Sequence, residues 1–239
     1  MYEFYPESRF GGFTDIDGTI AFYLRVNSLI DTSSVLLDVG CGRGAFSEDP
    51  ILLRKGLRNF KGKCRKVIGI DIDENASANP FLDQFVYLKE NAWPLENKSI
   101  DVCICDNVLE HFRNPEIFFS ECNRVIKNGG FLCIRTPNTL NYIGVISRIT
   151  PQKFHTAILQ KVKHQIKEED IFRTYYRCNT KRKLKRMLDQ HGFLSYVYGY
   201  EAEPSYHSFS RLFYLFGVIH QRLAPNALKA SIFAFAQKH

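Results

Sequence analysis

The sequence predicts an α/β protein built on a doubly wound, mostly parallel β-sheet. Short apolar runs of strand length recur along the chain and alternate with stretches of helical spacing. Three of these runs stop at an aspartate, which places acidic groups together at the edge where parallel strands end. A glycine-rich turn follows the first run, as expected between a buried strand and a helix N-terminus that form a ligand-binding shelf.

The N-terminal residues 1–30 are predicted to form an arm and a helix. The arm, Tyr2–Phe13, is rich in aromatic side chains and is broken by glycine and proline. The segment Thr14–Ile30 has apolar residues along one side of a helical pattern. Thr14 and Asp15 are the candidate N-caps of this helix.

The stretch Val35–Phe46, VLLDVGCGRGAF, organises the rest of the chain. Glycine in its turn can adopt positive φ without a steric clash, and it lets a ligand approach the bare backbone. The turn also satisfies the loose dinucleotide pattern G-x-G-x-x-G/A. The acid ahead of the turn would repel a diphosphate but suits a ligand with a cationic end, such as S-adenosylmethionine. The candidate cofactor-binding residues here are Asp38, Gly40, Gly42 and Gly44.

The second predicted strand, Lys66–Ile70, ends at Asp71. A carboxylate at this edge can accept hydrogen bonds from both hydroxyls of a ribose. Asp71 lies 31 residues after Gly40, which is longer than the roughly 20 of a dinucleotide unit. This spacing counts against a nicotinamide-dependent oxidoreductase. We place Ile72 in the same site, with Asp73 as the alternative acid or a simple turn residue.

Three further strands are predicted, at Phe85–Leu88, Ser99–Cys105 and Phe131–Ile134. Pro115 is predicted to begin a helix between the last two of these strands, and Gly129 to end it. Five strands with acids at their ends, and a helix in this place, support the fold class more strongly than the glycine turn alone.

The strings DVGCGRG from Asp38, DNVLEH from Asp106 and RTPN from Arg135 together resemble class I S-adenosylmethionine-dependent methyltransferases. The resemblance implies a Rossmann-like sheet of the seven-stranded methyltransferase type, with S-adenosyl-L-methionine as cofactor and S-adenosyl-L-homocysteine as product. It implies that Asp106 and the pair Asn91–Ala92 bind the cofactor, although the family usually carries an acid where Asn91 stands. An amide oxygen can still accept a hydrogen bond from the adenine amino group. The helix before the first strand would be a lid.

Residues 138–179 break the alternation of strands and helices, and we expect a cap inserted over the site. A helix over Thr180–His191, capped by Gly192, and a strand over Phe193–Tyr200 are predicted to resume the core. Ser205–His239 is rich in Phe, Leu and Tyr and is predicted to be helical, packed on the domain or a partner subunit, with weak contact to a membrane surface as the alternative. The predicted units are the arm and lid helix 1–30, the cofactor-binding core 31–137, the cap 138–179 and the completing segment 180–239.

The resemblance implies transfer of the sulfonium methyl group to oxygen or nitrogen by in-line displacement, in which positioning is the main task of the protein. A hydroxyl acceptor must also lose its proton, and a histidine side chain ordinarily suits that role near neutral pH. His111, beside the fourth strand, and His155, in the insertion, are the candidate bases, with a structural role as the alternative for each. The candidate acceptor-binding residues are Tyr142, Tyr176 and Arg177.

The string DIFRTYYRCNT, Asp170–Thr180, is similar to a methyltransferase subgroup of bacterial polysaccharide and secondary-metabolite gene clusters. The similarity implies a small-molecule or glycan-like acceptor in a biosynthetic pathway. An NAD(P)-dependent oxidoreductase and an RNA or DNA methyltransferase remain alternative functions. The edge of the fourth strand lacks the N-P-P-Y pattern of many enzymes that methylate base amines, so nucleic acid is not expected as a partner.

The charge, the cysteines and the apolar runs of the chain indicate which partners, compartment and metal sites to expect. The formal net charge is +7, but the densest basic run, Lys181–Arg186, has apolar residues at helical spacing and predicts the solvated face of a helix. The seven cysteines show no C-x-x-C pair or zinc spacing, which predicts reduced thiols in a cytoplasmic protein without a metal site. No apolar run reaches the roughly 20 residues of a membrane-spanning helix. A homodimer is left open.

Overall fold

The computed structural model describes residues 3–89, 92–141, 173–204 and 211–239, with side chains from residue 214 onward in the last range. Seven strands in these ranges form one sheet: β1 (Val35–Val39), β2 (Lys66–Asp71), β3 (Gln84–Tyr87), β4 (Ile100–Asp106), β5 (Ile126–Pro137), β6 (Phe193–Tyr200) and β7 (Ser231–Lys238). Their order is β3-β2-β1-β4-β5-β7-β6. Strands from β3 to β5 pair in parallel, whereas β7 is antiparallel to β5 and β6. The predicted seven-stranded, mostly parallel sheet is confirmed.

Helices cover both faces of this sheet, as the doubly wound class requires. The described residues contain helices α1 (Gly18–Asn27), α2 (Leu52–Arg58), α3 (Pro115–Val125), α4 (Lys181–Gln190) and α5 (Arg211–Leu223). Leu37 packs in a buried cluster with Phe118 of α3 and Leu188 of α4. Its neighbour Leu36 packs with Phe22 of α1 on the opposite face, because successive strand residues alternate. None of the described helices has the length and apolar content to cross a bilayer.

The N-terminal helix begins later than the sequence predicts. Asp17 is the N-cap, and its carboxylate accepts hydrogen bonds from the backbone N–H of Thr19 and Ile20, both at 2.9 Å. The predicted caps, Thr14 and Asp15, are therefore wrong. The backbone N–H of Asp17 bonds to the Thr14 carbonyl in a tight turn, so helical geometry starts only after Asp17.

We expected the glycine turn to lead directly into an α-helix, but it does not. It continues into a single 3₁₀ turn, Ala45–Glu48, and α2 begins only at Leu52. Pro50 explains the break, because a proline disfavours helical geometry in the residue before it. Asp49 is accordingly extended, with φ −62° and ψ 122°.

The end of α3 and the C-terminal segment also differ from the sequence-based prediction. Helix α3 ends at Val125, where the backbone N–H of Ser99 bonds to the Val125 carbonyl. Gly129 instead lies in a bulge of β5, since β4 pairs with Ile126 and next with Phe131.

The helical prediction for Ser205–His239 is wrong in its second half, which forms β7 between β5 and β6. The sequence SIFAFAQK alternates: Ile232 and Ala234 pack on the α3 face, and Phe233 packs on the α1 face. The strand prediction for Phe193–Tyr200 is confirmed.

The cap predicted over 138–179 lies mainly outside the described residues and stays a prediction.

Candidate active site

Three aspartates meet at the edge of the sheet where the parallel strands end. Asp38 lies in β1, and Asp71 and Asp106 end the two strands that flank it, β2 and β4. Strand β1 pairs with both neighbours in parallel register, so the three carboxylates face one crevice. This is the position at which ligands bind in open α/β sheets.

The glycine turn forms the wall of this crevice beside β2. The backbone N–H of Gly40 bonds to the Ile70 carbonyl at 2.8 Å, and the N–H of Gly42 bonds to Asp71 Oδ2 at 2.9 Å. Gly40 has φ +69°, and a Cβ there would lie 2.5 Å from Val108. Gly42 has φ +51°, but a Cβ would meet no atom within 4 Å. The turn therefore needs glycine at Gly40 for close packing, whereas at Gly42 the backbone faces open space that a ligand can enter.

Asn79 holds the turn in this shape, and the sequence analysis did not identify it. Its Nδ2 donates to the carbonyls of Cys41 at 3.1 Å and Gly42 at 3.0 Å. Its Oδ1 accepts from the Phe81 N–H at 3.0 Å, and the side chain is buried. An asparagine before a proline predicts a turn, but no local pattern predicts that its side chain reaches residues almost forty positions away.

Asp38 is a partly buried carboxylate in an unfavourable environment. Burial, together with the negative charges of Asp106 and Asp71, raises its pKa to about 7, and the nearby Arg58 only partly offsets these effects. Within the described residues neither Asp38 oxygen has a hydrogen-bond partner from the protein. Such a group gains most from a cationic ligand, because a positive charge would relieve both the burial and the repulsion.

Asp71 is oriented by backbone hydrogen bonds. Its Oδ2 accepts from the Gly42 N–H, and its Oδ1 accepts from the Asp73 N–H at 3.0 Å. Each carboxylate oxygen keeps a second lone pair, so Asp71 can still accept two hydroxyl groups. Asp73 accepts from the Asn75 N–H, as its interpretation as a turn residue predicts. The side chain of Ile72 is exposed beside this acid.

Asp106 is held by four hydrogen bonds from other residues of the protein. Arg135 donates to both carboxylate oxygens at 2.6 Å, Tyr23 donates through its hydroxyl at 2.8 Å, and Asn107 through its amide at 3.0 Å. These four bonds occupy the acceptor positions of a carboxylate. Burial alone would raise the pKa of Asp106, but the charge and hydrogen bonds of Arg135 outweigh it and hold the pKa below its usual value. These bonds make Asp106 an anchor within the fold, and its predicted contact with the cofactor stays a prediction.

The same ion pair attaches α1 to the edge of the sheet. Arg135 also donates to Thr19 Oγ1 at 3.0 Å, and its guanidinium lies 5.4 Å from the centre of the Phe22 ring. Tyr23, in the next turn, bonds to Asp106. These contacts hold α1 against the carboxyl edge, where the predicted lid helix would lie. An arginine in the apolar run FLCIRT was the one sequence signal for this pair.

His111 lies in a 3₁₀ turn, Leu109–His111, that follows β4. Its Nδ1 is 3.0 Å from the Arg173 carbonyl. A carbonyl only accepts hydrogen bonds, so Nδ1 carries the hydrogen, and the lone pair of a neutral ring is then on Nε2. The preceding Glu110 accepts through its backbone carbonyl from the N–H groups of Tyr175 and Tyr176. The last residues of the predicted cap, 173–176, are thereby joined to the turn that carries His111.

Glu110 is also bonded within the core beneath His111. Its carboxylate accepts from the Thr136 hydroxyl at 3.0 Å, and Asn179 donates to that hydroxyl at 2.6 Å. Burial raises the pKa of Glu110. The sequence analysis did not identify this chain of buried polar groups, because its members come from three separate segments. The network fixes the backbone that carries His111.

The chain is similar in sequence to known methyltransferases. Residues 37–134 match the family model described as "Methyltransferase domain". This region is a methyltransferase domain. A probable S-adenosylmethionine-dependent methyltransferase of Mycolicibacterium smegmatis is 34% identical over 131 residues, covering 52% of this chain and 46% of the relative. The ubiquinone biosynthesis O-methyltransferase of Rattus norvegicus is 34% identical over 146 residues, covering 51% and 38%. The chain thus spans less than half the length of these curated relatives.

Solved structures support the fold of the methyltransferase domain. A SAM-dependent methyltransferase from Archaeoglobus fulgidus has a TM-score of 0.54 at 19% identity and covers 100% of both chains. Geranyl diphosphate C-methyltransferase from Streptomyces coelicolor A3(2) has a TM-score of 0.54 at 13% identity, covering 92% of this chain and 78% of that chain. At these identities the likeness shows the seven-stranded fold.

The other predicted site residues fall into two groups, those that the structure describes and those that it does not. Ala92 is exposed, while its neighbour Trp93 packs against Phe118 in the core, as its plain core interpretation predicts. Tyr176 and Arg177 are exposed. The described residues contain no cluster of three metal-ligating side chains. Three predicted site residues lie outside the described residues and stay predictions: Asn91, Tyr142 and His155.

Proposed function

We propose that this chain is a methyltransferase that moves the methyl group of S-adenosyl-L-methionine to an oxygen or nitrogen of a small-molecule acceptor. The crevice at the carboxyl edge carries this proposal. It combines the Asp38 carboxylate, which has no hydrogen-bond partner among the described residues, with an open backbone at Gly42 and an oriented acid at Asp71. Asp38 suits the cationic amino-acid end of this cofactor, and Asp71 suits its ribose hydroxyls. The bare backbone at Gly42 lets the cofactor approach closely.

In the proposed complex the ribose hydroxyls donate to the two lone pairs that Asp71 keeps. The adenine lies against the exposed side chain of Ile72 and near Ala92, since both follow the β2 and β3 ends beside Asp71. The ammonium and sulfonium groups lie on the Asp38 side. Each end of the cofactor then meets the charge or the apolar surface that it requires.

A thermal-shift experiment tests the choice of cofactor. We expect a saturating concentration of S-adenosylhomocysteine to raise the melting temperature, because a ligand that binds only the folded state adds about 2.7 kcal/mol of stability at a hundredfold excess over its dissociation constant. NAD should produce no shift. Stabilisation by NAD and not by S-adenosylhomocysteine would support the oxidoreductase alternative and overturn the proposal.

The acceptor is proposed to be an alcohol or phenol, so that an oxygen is methylated. His111 supports this choice, because the hydrogen bond from its Nδ1 to Arg173 assigns the basic lone pair to Nε2. The similarity to ubiquinone biosynthesis O-methyltransferases also favours oxygen. We further propose a role in a biosynthetic pathway, with a small or glycan-like acceptor as the sequence predicts. His111 removes the hydroxyl proton as the oxygen attacks the methyl carbon and the sulfonium departs as a neutral thioether.

Replacing His111 with alanine is expected to lower kcat with a hydroxyl acceptor by about 10²- to 10⁴-fold, the usual contribution of a general base. The affinity for S-adenosylhomocysteine should change little. The matched control is His191→Ala, since the His191 ring also bonds to a carbonyl, that of Met187 at 2.8 Å, but His191 is the C-cap of α4 and not part of the turn after β4. Equal turnover by the His111 variant and wild type would remove His111 from the mechanism.

A further inference from the structure

Helix α5 has an apolar face that points away from the domain. Tyr214 and Val218 are buried, and they pack this helix against Tyr5 of the N-terminal arm. The opposite side of a surface helix ordinarily carries polar residues. Here that side is apolar, and we name it the α5 face. Its members and their exposed fractions are Leu215 40%, Phe216 60%, Ile219 45% and Leu223 76%.

The α5 face lies at the same edge of the sheet as the candidate active site. Helix α5 joins β6 to β7, and the two strands meet there at the pair Tyr200 and Ser231. Ser231 also pairs with Pro137 at the carboxyl end of β5. The arm beside α5 exposes a further apolar side chain, Phe10, which is 81% exposed. Nothing in the part of the chain that the structure describes covers this face.

Basic residues border the α5 face. Helix α5 contains no acidic residue. Arg222 lies in its last turn, and Lys229 lies in the loop that follows. In that loop Asn226 accepts a hydrogen bond from Lys181 at 2.9 Å. This bond places the start of α4, with its run of five cations in six residues, Lys181–Arg186, next to the end of α5.

The acids near α5 are already engaged by the protein. Glu201 accepts a hydrogen bond from the Ala230 N–H and faces His220. Glu203 accepts from the Thr14 hydroxyl at 2.9 Å. These bonds leave both carboxylates charged, and Glu7 of the arm also lies near Tyr214. The cations Arg222, Lys229 and the five of Lys181–Arg186 outnumber these acids, so the border of the α5 face is cationic on balance.

We propose that the α5 face and the basic start of α4 dock this protein on an anionic lipid surface. Apolar side chains flanked by lysine and arginine are what an interfacial helix requires, because the former enter the acyl boundary while the latter meet the headgroups. A second copy fits less well, since two identical faces would bring two cationic rims together. Docking would turn the active-site edge towards the lipid, and this proposal stands independently of the proposed reaction.

Vesicle sedimentation tests this proposal with the full chain. We expect wild type to bind vesicles of phosphatidylcholine with about one third phosphatidylglycerol, and to bind pure phosphatidylcholine vesicles far more weakly. Salt should weaken the binding through screening. Leu223→Gln and Phe216→Ser should each lower the partition coefficient about tenfold, the effect of losing the burial of one large apolar side chain. Leu194→Gln is the matched control, because Leu194 is 63% exposed at the opposite edge of the sheet.

The control should bind as wild type does, and all three variants should keep the wild-type melting temperature and its response to S-adenosylhomocysteine. The last readout separates a failure of docking from a failure of the proposed function. Absence of binding to anionic vesicles, or equal binding by the Leu223 and Leu194 variants, would overturn the proposal. A wild-type dimer in light scattering that becomes monomeric in Phe216→Ser would assign the face to a second copy and overturn it as well.

Discussion

Replacing Asp38 with asparagine is expected to weaken the binding of S-adenosylmethionine about a hundredfold. Asparagine keeps the shape of the side chain and removes its negative charge, and a hydrogen bond to a charged group contributes about 1.5–3 kcal/mol. The measurement is isothermal titration calorimetry. Asp73→Asn is the matched control, since Asp73 lies at the same edge and caps a turn that asparagine can also cap. Equal affinities of the Asp38 variant and wild type would contradict the proposed site.

The same substitution is expected to leave the fold as stable as wild type or to stabilise it. The folded-state pKa of Asp38 is raised to about 7, so the native state binds this proton more tightly than the unfolded chain. Stability from this group is therefore greatest at low pH and falls as pH rises towards 7. Asparagine cannot ionise, so the variant does not lose this stability as pH rises. Weaker cofactor binding together with an unchanged or higher melting temperature near pH 8 would show that Asp38 serves binding and not folding.

The raised pKa also predicts how cofactor binding depends on pH. A cationic ligand binds the ionised carboxylate, so affinity should fall as pH decreases below about 7, by up to tenfold per pH unit. Binding near neutral pH should release a proton, which calorimetry in buffers of different ionisation enthalpy detects. The Asp38→Asn variant should lose this dependence. A pH-independent affinity of wild type between about pH 6 and 8 would contradict an ionisable Asp38 at the site.

Replacing Asp106 with asparagine is expected to cost about 3–5 kcal/mol in the free energy of unfolding, because it leaves the buried guanidinium of Arg135 without its partner. The side chains of Asp106 and Arg135 are only 8% and 11% exposed. Urea unfolding measures this change. The matched control is Asp189→Asn, which breaks the exposed pair with Lys185 and should cost no more than about 1 kcal/mol.

A second variant separates the ion pair from general damage to the fold. In Asp106→Asn combined with Arg135→Met, neither charge of the ion pair remains, so part of the lost stability should return. If Asp106→Asn and Asp189→Asn had equal effects, the Asp106–Arg135 pair would not be the anchor that we describe.

The sequence predicted the parts of the fold that local patterns determine. Strands β1, β2, β4 and β6 are apolar runs bounded by polar or glycine residues, and the acids Asp38 and Asp71 follow directly from where the first two end. Strand β7 was missed because its alternation of Phe and Ala places apolar residues on both faces. An uninterrupted apolar segment of that kind is also compatible with a buried helix.

The features that depend on packing between distant segments could not be predicted. Asp106 and Arg135 are 29 residues apart, and their pairing depends on the register of β4 against β5. Asn79 is an ordinary turn residue until the glycine turn is placed beside it. The sequence therefore does not show that Asp106 is bonded to Arg135, Tyr23 and Asn107, whereas Asp38 has no hydrogen-bond partner among the described residues.

A crystal structure with S-adenosylhomocysteine tests the central claim most directly. We predict that both ribose hydroxyls lie within hydrogen-bond distance of the Asp71 carboxylate. We also predict that the amino group of the ligand lies beside Asp38 and that the ligand packs against the backbone of Gly42. A ligand bound elsewhere on the chain, or a crevice that remains closed by protein side chains at saturating ligand, would contradict the account.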